Sequence, residues 1–476
     1  MVLKNTRSLR LTTKKRDQEQ QGTCSQFFSF LKVHLGSVVY NNPNMHQENP
    51  VPMSDMEALV NLIKCTFGTG ILAMPRAYYN AGWLLGLIST VLVAAIVVYS
   101  LHVLIDDINK LCKRYKMKML SYSEAMQLAL TFVFLWRSDV KIADSCVCVD
   151  IFLCIYHFGV DCVYVVFMGK NIKKLADLYF TPIDTRIYMA LITVPLILTF
   201  LIRDLKYLVP FSIISNVLML ISFGLILSYF LNDLPSLSER TAIQSLSKYP
   251  LFFGTILFSI EAVGVILALQ LHMTTPENYL GKFGVLNRAM IIVVIFYASF
   301  GFLGYWQFGD ETSSSIINNL PTDETVPQCI IALFTIAIFF SYALQGYVTI
   351  EIIWRSYLTP RLIADASKSV EYLLRMAMVV ASVLCAIAYP DFGLLLSFVG
   401  SFCLAQLGFI YPSLINIFVR YSEGYGPCKI FLLRSLFFIF IGLCGGIAGT
   451  MISVAAIREK YDNRILFFLS AFHITT

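Results

Sequence analysis

Three ionisable side chains stand on one apolar segment, Asp150, His157 and Asp161 in D-I-F-L-C-I-Y-H-F-G-V-D. Spacings of seven and four put them on one helical face, with Cys154 between them. An unpaired charge at membrane depth costs a few kcal/mol, so such a stripe must face protein or a water-filled cavity. Two chemistries fit. One is a buried His–Asp hydrogen bond that ties helices together. The other is a proton relay, because histidine titrates near physiological pH and a neighbouring carboxylate moves that titration. His157 and Asp161 are therefore proton-coupling candidates, and Glu261, isolated in another apolar run, is a third.

A different signal runs from Glu57 to Gly82 in E-A-L-V-N-L-I-K-C-T-F-G-T-G-I-L-A-M-P-R-A-Y-Y-N-A-G. Gly68, Thr69, Gly70 and Pro75 weaken a helix where no water satisfies freed backbone groups, so the break must line a cavity. Its N–H groups and the positive end of the following half-helix suit an anion such as an amino acid carboxylate. A second interruption, at Ser259, Glu261 and Gly264 in F-G-T-I-L-F-S-I-E-A-V-G-V-I-L-A-L-Q, offers carbonyls to an ammonium. The plainer alternative is that these small residues let helices pack closely.

The elements that must position these groups are membrane helices. Of 476 residues, 57% are hydrophobic and 14% charged, with a mean hydropathy of +0.70, whereas soluble domains carry about a quarter charged residues. Eleven apolar segments approach the ~20 residues that a bilayer needs. They fall at about 57–79, 83–105, 142–168, 187–202, 207–231, 250–272, 286–308, 327–353, 372–389, 392–418 and 434–456. Residues 121–136 form a shorter, interfacial amphipathic stretch. Residues 1–55 read as a disordered tail, residues 56–456 as a membrane domain, and residues 457–476 as a short tail outside or in a lumen. Most of the 36 lysines and arginines fall on the side of the N-terminal tail, which makes that side cytoplasmic. If spans one to five and six to ten are inverted repeats, the two breaks are equivalent and hold substrate between them near the midplane.

Four motifs carry a family resemblance. They are L-I-K-C-T-F-G-T-G-I-L-A-M-P with N-A-G, then I-L-F-S-I-E-A-V-G-V-I-L-A-L-Q, then G-F-L-G-Y-W-Q-F-G-D with I-N-N-L-P, and F-F-S-Y-A-L-Q-G-Y-V-T-I-E-I-I. From about residue 54 to the end of span eleven the chain resembles a divergent member of the proton-coupled amino acid transporters, in the amino acid and auxin permease superfamily. The resemblance implies an all-α integral membrane fold of the leucine-transporter type, a 5+5 inverted repeat plus one extra helix. It also implies a secondary transporter of small amino acids, with protons as a candidate coupling ion, in the plasma membrane or a lysosomal or endosomal membrane. By position, Lys64, Thr66, Gly68, Thr69, Gly70, Ser259, Glu261 and Gly264 fall near the substrate. The chain departs from the family at Asn61, where a proton-linked histidine is usual, and at Gln270, where glutamate is usual. An amide cannot take up a proton near neutral pH. The family's outer-loop cysteine pair has no counterpart, since Lys170 to Arg186 contains none, and Cys329 is expected to stay free.

No cofactor is implied, and Cys146 and Cys148 are too close for a zinc-ligand pair on a helix. The net charge of +6 is spread among loops and implies no nucleic-acid partner; the partners are an amino acid and the bilayer. A membrane enzyme with His157 and Asp161 as acid and base lacks H-E-x-x-H, G-x-S-x-G or a Walker loop. An uncoupled facilitator or exchanger, or an amino acid sensor, uses the same site and stays open.

Overall fold

The computed structural model describes residues 53–117, 120–134, 143–203, 205–232, 234–260, 263–359, 367–421 and 424–473. The expected tail up to residue 52 and the candidate Glu261 lie outside them. Among the described residues there is no strand, only a single bridge between Met53 and Met273. The described residues form sixteen α-helices. They are α1 (Asp55–Thr66), α2 (Gly70–Ala81), α3 (Trp83–Tyr115), α4 (Tyr122–Phe134), α5 (Ala143–Ala176), α6 (Thr185–Leu191), α7 (Thr193–Phe200) and α8 (Leu205–Phe230). They continue with α9 (Tyr249–Ile260), α10 (Val263–His272), α11 (Val285–Phe308), α12 (Thr325–Glu351), α13 (Ser367–Ala388), α14 (Phe392–Val399), α15 (Tyr411–Arg420) and α16 (Ile430–His473).

Among the described residues, eight helices are long and apolar enough to cross a membrane, or nine if the bent pair α1–α2 is one span. Two further segments of the expected eleven are shorter apolar helices, Thr185–Phe200 and Leu246–Ile260. The stretch expected to lie at the interface forms α4, and it packs on the bundle: the Tyr122 hydroxyl donates to the Leu407 carbonyl at 2.6 Å. Helix α16 continues through the residues expected as a short tail.

The break in span one has local causes. Ser54 and Glu57 form a reciprocal capping box that starts α1, and Lys64 sits in its last turn, where a cation suits the carbonyl end. Phe67 is extended (φ −76°, ψ 114°), which ends α1, and α2 restarts at Gly70 with a 59° bend. Helix α2 is then clasped by α11. Gly304 faces the Pro75 ring and Gly301 faces Tyr78, so close that a β-carbon on either glycine would overlap them. The glycine spacing of the G-F-L-G motif is thus a socket for α2.

The two ends of the bundle are tied by charge. At one end Glu371, only 4% exposed, accepts from Arg375 at 3.0 Å and from Arg203 at 2.6 Å, while Arg375 also donates to the Phe200 carbonyl at 3.1 Å. At the other end Lys174 donates to the carbonyls of Ile317, Asn318 and Leu320 at 3.0 to 3.2 Å, which shapes the I-N-N-L-P loop. Arg76 donates to the Thr312 carbonyl at 2.7 Å. Asp391 caps α14 and pairs with Lys460 of α16. Burial opposes the charge on Asp391, but Lys460, Lys170 and the Leu394 amide outweigh it and hold the carboxyl below its usual range. The stabilisation from this depressed carboxyl is present above the ordinary carboxylate range and is lost as the pH falls through the lowered value.

Candidate functional site

The break between α1 and α2 faces the middle of α5. A β-carbon on Gly68 would lie 3.8 Å from the Tyr164 hydroxyl, an ordinary contact that leaves space above the unwound backbone. The Thr66 carbonyl accepts from the Tyr297 hydroxyl of α11 at 2.7 Å, which holds the frayed end of α1 open. Thr69 occupies the cap position of α2, but its hydroxyl makes no capping bond. That hydroxyl is buried and has no hydrogen-bond partner among the described residues. Of the first N–H groups of α2, those of Ile71 and Leu72 bond the Gly68 and Thr69 carbonyls at 3.4 and 3.1 Å in the tightened first turn. A half-helix start with an uncommitted hydroxyl is a donor set for an anion.

Asp150, His157 and Asp161 are all buried, at 5%, 4% and 0% exposure. Their surroundings differ. The Tyr357 hydroxyl donates to Asp150 at 2.9 Å, at the end of the stripe. His157 Nδ1 lies 2.9 Å from Gln345 Nε2 of α12. With that amide nitrogen donating, the ring proton sits on Nε2, which is itself unpartnered among the described residues. Nε2 points at α10, 3.5 Å from where a β-carbon on Gly264 would stand. Neither carboxylate oxygen of Asp161 has a hydrogen-bond partner among the described residues, and Oδ2 lies against the backbone of Gly346. The His–Asp bond anticipated between His157 and Asp161 is absent among these contacts; the tie between helices runs from His157 to Gln345.

Gly70 belongs to packing. A β-carbon there would fall 2.8 Å from both Cα and Oγ of Ser259, and the Ser259 hydroxyl is spent on the Thr255 carbonyl at 2.8 Å. These two residues bring α2 and α9 into contact. Thr66 likewise turns its hydroxyl to its own helix, donating to the Ile63 carbonyl at 2.8 Å. Gly68 stands near Tyr164 and Gly264 near His157, while Gly70 packs on Ser259 and the Ser259 and Thr66 hydroxyls are bonded to their own helices.

Tyr164, Tyr297, Gln345 and Gly346 were not anticipated from the sequence. Tyr164 follows Asp161 by three residues and so shares its face, a legible signal. Gln345 and Gly346 stand inside the F-F-S-Y-A-L-Q-G-Y motif, but Tyr297 has no local mark. The two departures from the family pattern meet at one end. Asn61 donates to the Met53 sulfur at 3.2 Å, and the Gln270 carbonyl accepts from the Met273 amide, where Met53 and Met273 pair. Cys329 is free, and among the described residues no group of three or more His, Cys, Asp or Glu could hold a metal ion.

A family model described as transmembrane amino acid transporter protein matches residues 52–455. The chain belongs to that family. The transporter is 33% identical over 428 residues to the proton-coupled amino acid transporter-like protein pathetic of Drosophila melanogaster, covering 89% of each. It is 25% identical over 405 residues to vacuolar amino acid transporter 3 of Saccharomyces cerevisiae, covering 81% of this chain and 55% of the yeast protein. It is also similar to the structure of a Na+-coupled sialic acid symporter in a substrate-bound outward-open state, at 14% identity and a TM-score of 0.44, over 87% of this chain and 92% of the other. Its family and its apolar helices make it an integral membrane protein and an amino acid transporter rather than an enzyme.

Proposed function

We propose that the transporter moves small amino acids by alternating access and couples that movement to protons. The substrate carboxylate docks on the start of α2 and the Thr69 hydroxyl, beneath Tyr164. Asp161 and His157 carry the proton, since a fully buried carboxylate without a donor is stable at membrane depth only when it binds one. The observation that carries this reading is the orphaned Asp161 carboxylate on the helix that faces the Gly68 break. The word proton-coupled in the name of the Drosophila relative agrees with it.

Purified protein in proteoliposomes should take up small neutral amino acids, and faster when the outside is acidified. Uptake that ignores an imposed pH gradient makes the protein a facilitator or exchanger. Binding without flux makes it a sensor. The name of the vacuolar relative favours a lysosomal or endosomal membrane over the plasma membrane.

The same reading puts the N-terminus in the cytoplasm, from the lysine and arginine bias. An epitope inserted between Asp310 and Pro327 should then be accessible from the outside or lumenal face, and one beside Tyr115 from the cytoplasm. Both tags on one face would remove this orientation.

A further inference from the structure

Away from the site around Gly68, the chain just before α1 is tied to the loop that follows α10. Met53 and Met273 form a parallel bridge, and the amide and hydroxyl of Thr274 both donate to the Met53 carbonyl, at 2.9 and 3.0 Å. Two residues on, both oxygens of Asp55 are taken. Oδ1 accepts from the Thr275 hydroxyl at 2.8 Å, and Oδ2 accepts from the Asn278 side-chain amide at 3.0 Å. The side-chain amide of Asn61, one of the two departures from the family pattern, reaches back to the Met53 sulfur at 3.2 Å.

The two sides of this strap are anchored differently. The loop is fixed to α11: the Leu286 amide donates to the Tyr279 carbonyl at 3.2 Å, and the Asn287 side chain donates to the Gly281 and Lys282 carbonyls at 3.2 and 3.1 Å. Helix α1 is a half-helix of 12 residues that continues into α2 only through the extended Phe67 and the break. A short helix hinged at one end and strapped at the other can turn about its hinge once the strap opens. The strap is built to open. Thr274 and Asn278 are exposed and Asp55 and Thr275 partly so, which lets water take over each bond. Tyr279, the residue after Asn278, is fully buried with Cys65 of α1 nearby, and its hydroxyl has no hydrogen-bond partner among the described residues. A buried hydroxyl without a partner penalises the strapped form, and water admitted by opening relieves it.

We propose that the strap of residues 53–55 on residues 273–278 is the inner latch of the transporter. Closed, it holds α1 across the route from the Gly68 break to the cytoplasm, and it opens in each transport cycle to let substrate through. This rests on alternating access and on the cytoplasmic N-terminus proposed above. Asp55 positions the latch, because its carboxylate receives two of these bonds, while the Ser54–Glu57 capping box starts α1 without it.

The double variant Met53→Cys/Met273→Cys tests the opening, since bridged positions stand within disulfide reach. Full-length protein in proteoliposomes, cross-linked with copper phenanthroline, should take up labelled alanine at less than about a tenth of its reduced rate and recover with reductant. The wild type and each single variant should not respond to the oxidant. Equal uptake by the cross-linked and reduced forms would overturn the latch. A second measurement needs no transport. Leu62 of α1 is fully buried, so the thiol of Leu62→Cys meets a charged maleimide only when α1 moves. Adding Asp55→Ala removes two bonds to a carboxylate and should speed alkylation at that position, read by mass spectrometry, about tenfold or more, whereas adding Lys282→Gln in the same loop should not. Equal alkylation with and without Asp55→Ala would also overturn the latch. A wild type without flux would defeat the transport reading instead, and the alkylation rates alone would then decide whether the strap holds α1.

Discussion

Gly68→Val is expected to reduce amino acid uptake by about 100-fold or more while the protein still inserts and melts close to the wild type. The space over Gly68 ends at the Tyr164 hydroxyl, and a β-carbon there makes only a 3.8 Å contact, so the fold tolerates a side chain that the substrate does not. Gly70→Ala should behave differently. Its β-carbon would stand 2.8 Å from the Ser259 backbone, so α2 and α9 must separate, at a cost of about 1–3 kcal/mol. Uptake of a labelled amino acid and thermal unfolding, measured on both variants, separate a binding glycine from a packing one. Wild-type uptake by Gly68→Val would remove the carboxylate from the α2 start.

The second large effect concerns energy coupling. One proton per substrate can drive about tenfold accumulation for each unit of pH gradient, because one unit is worth about 1.4 kcal/mol. Asp161→Asn keeps the shape and removes the titration, so accumulation should fall to about the external concentration while exchange of internal for external substrate continues. His157→Gln should flatten the pH profile in the same direction, with the Gln345 contact partly preserved. Gradient-driven accumulation that survives in both variants would falsify the relay through α5 and move attention to Glu261. A wild type indifferent to the gradient would reject proton coupling at any residue.

The stripe on α5 shows how far spacing can be read. Three ionisable groups on one apolar helix had to turn towards protein rather than lipid, and their burial follows from the cost of charge in a bilayer. Their partners did not follow. His157 meets Gln345, which lies 188 residues away in the chain, and Asp150 meets Tyr357, 207 residues away. Periodicity places a side chain on a face, and the fold decides what stands opposite.

The span-one break divides in the same way. Glycines and a proline act through their own backbone, so the sequence by itself determined that a membrane helix running from about residue 57 would break near Gly68 and restart; the start at Ser54, inside the expected tail, came only with the capping box in the structure. Its apolar segments and ordered motifs likewise determined the all-helical membrane class and the family. Only the tertiary structure decided that Gly70 is a packing contact with Ser259, that Tyr297 holds the Thr66 carbonyl, and that Asp161 has no partner among the described residues. The physical reason is range. Helix propensity, capping and hydropathy are summed over neighbouring residues, whereas a β-carbon overlap or a missing hydrogen bond depends on atoms that the chain brings together from opposite ends of the bundle.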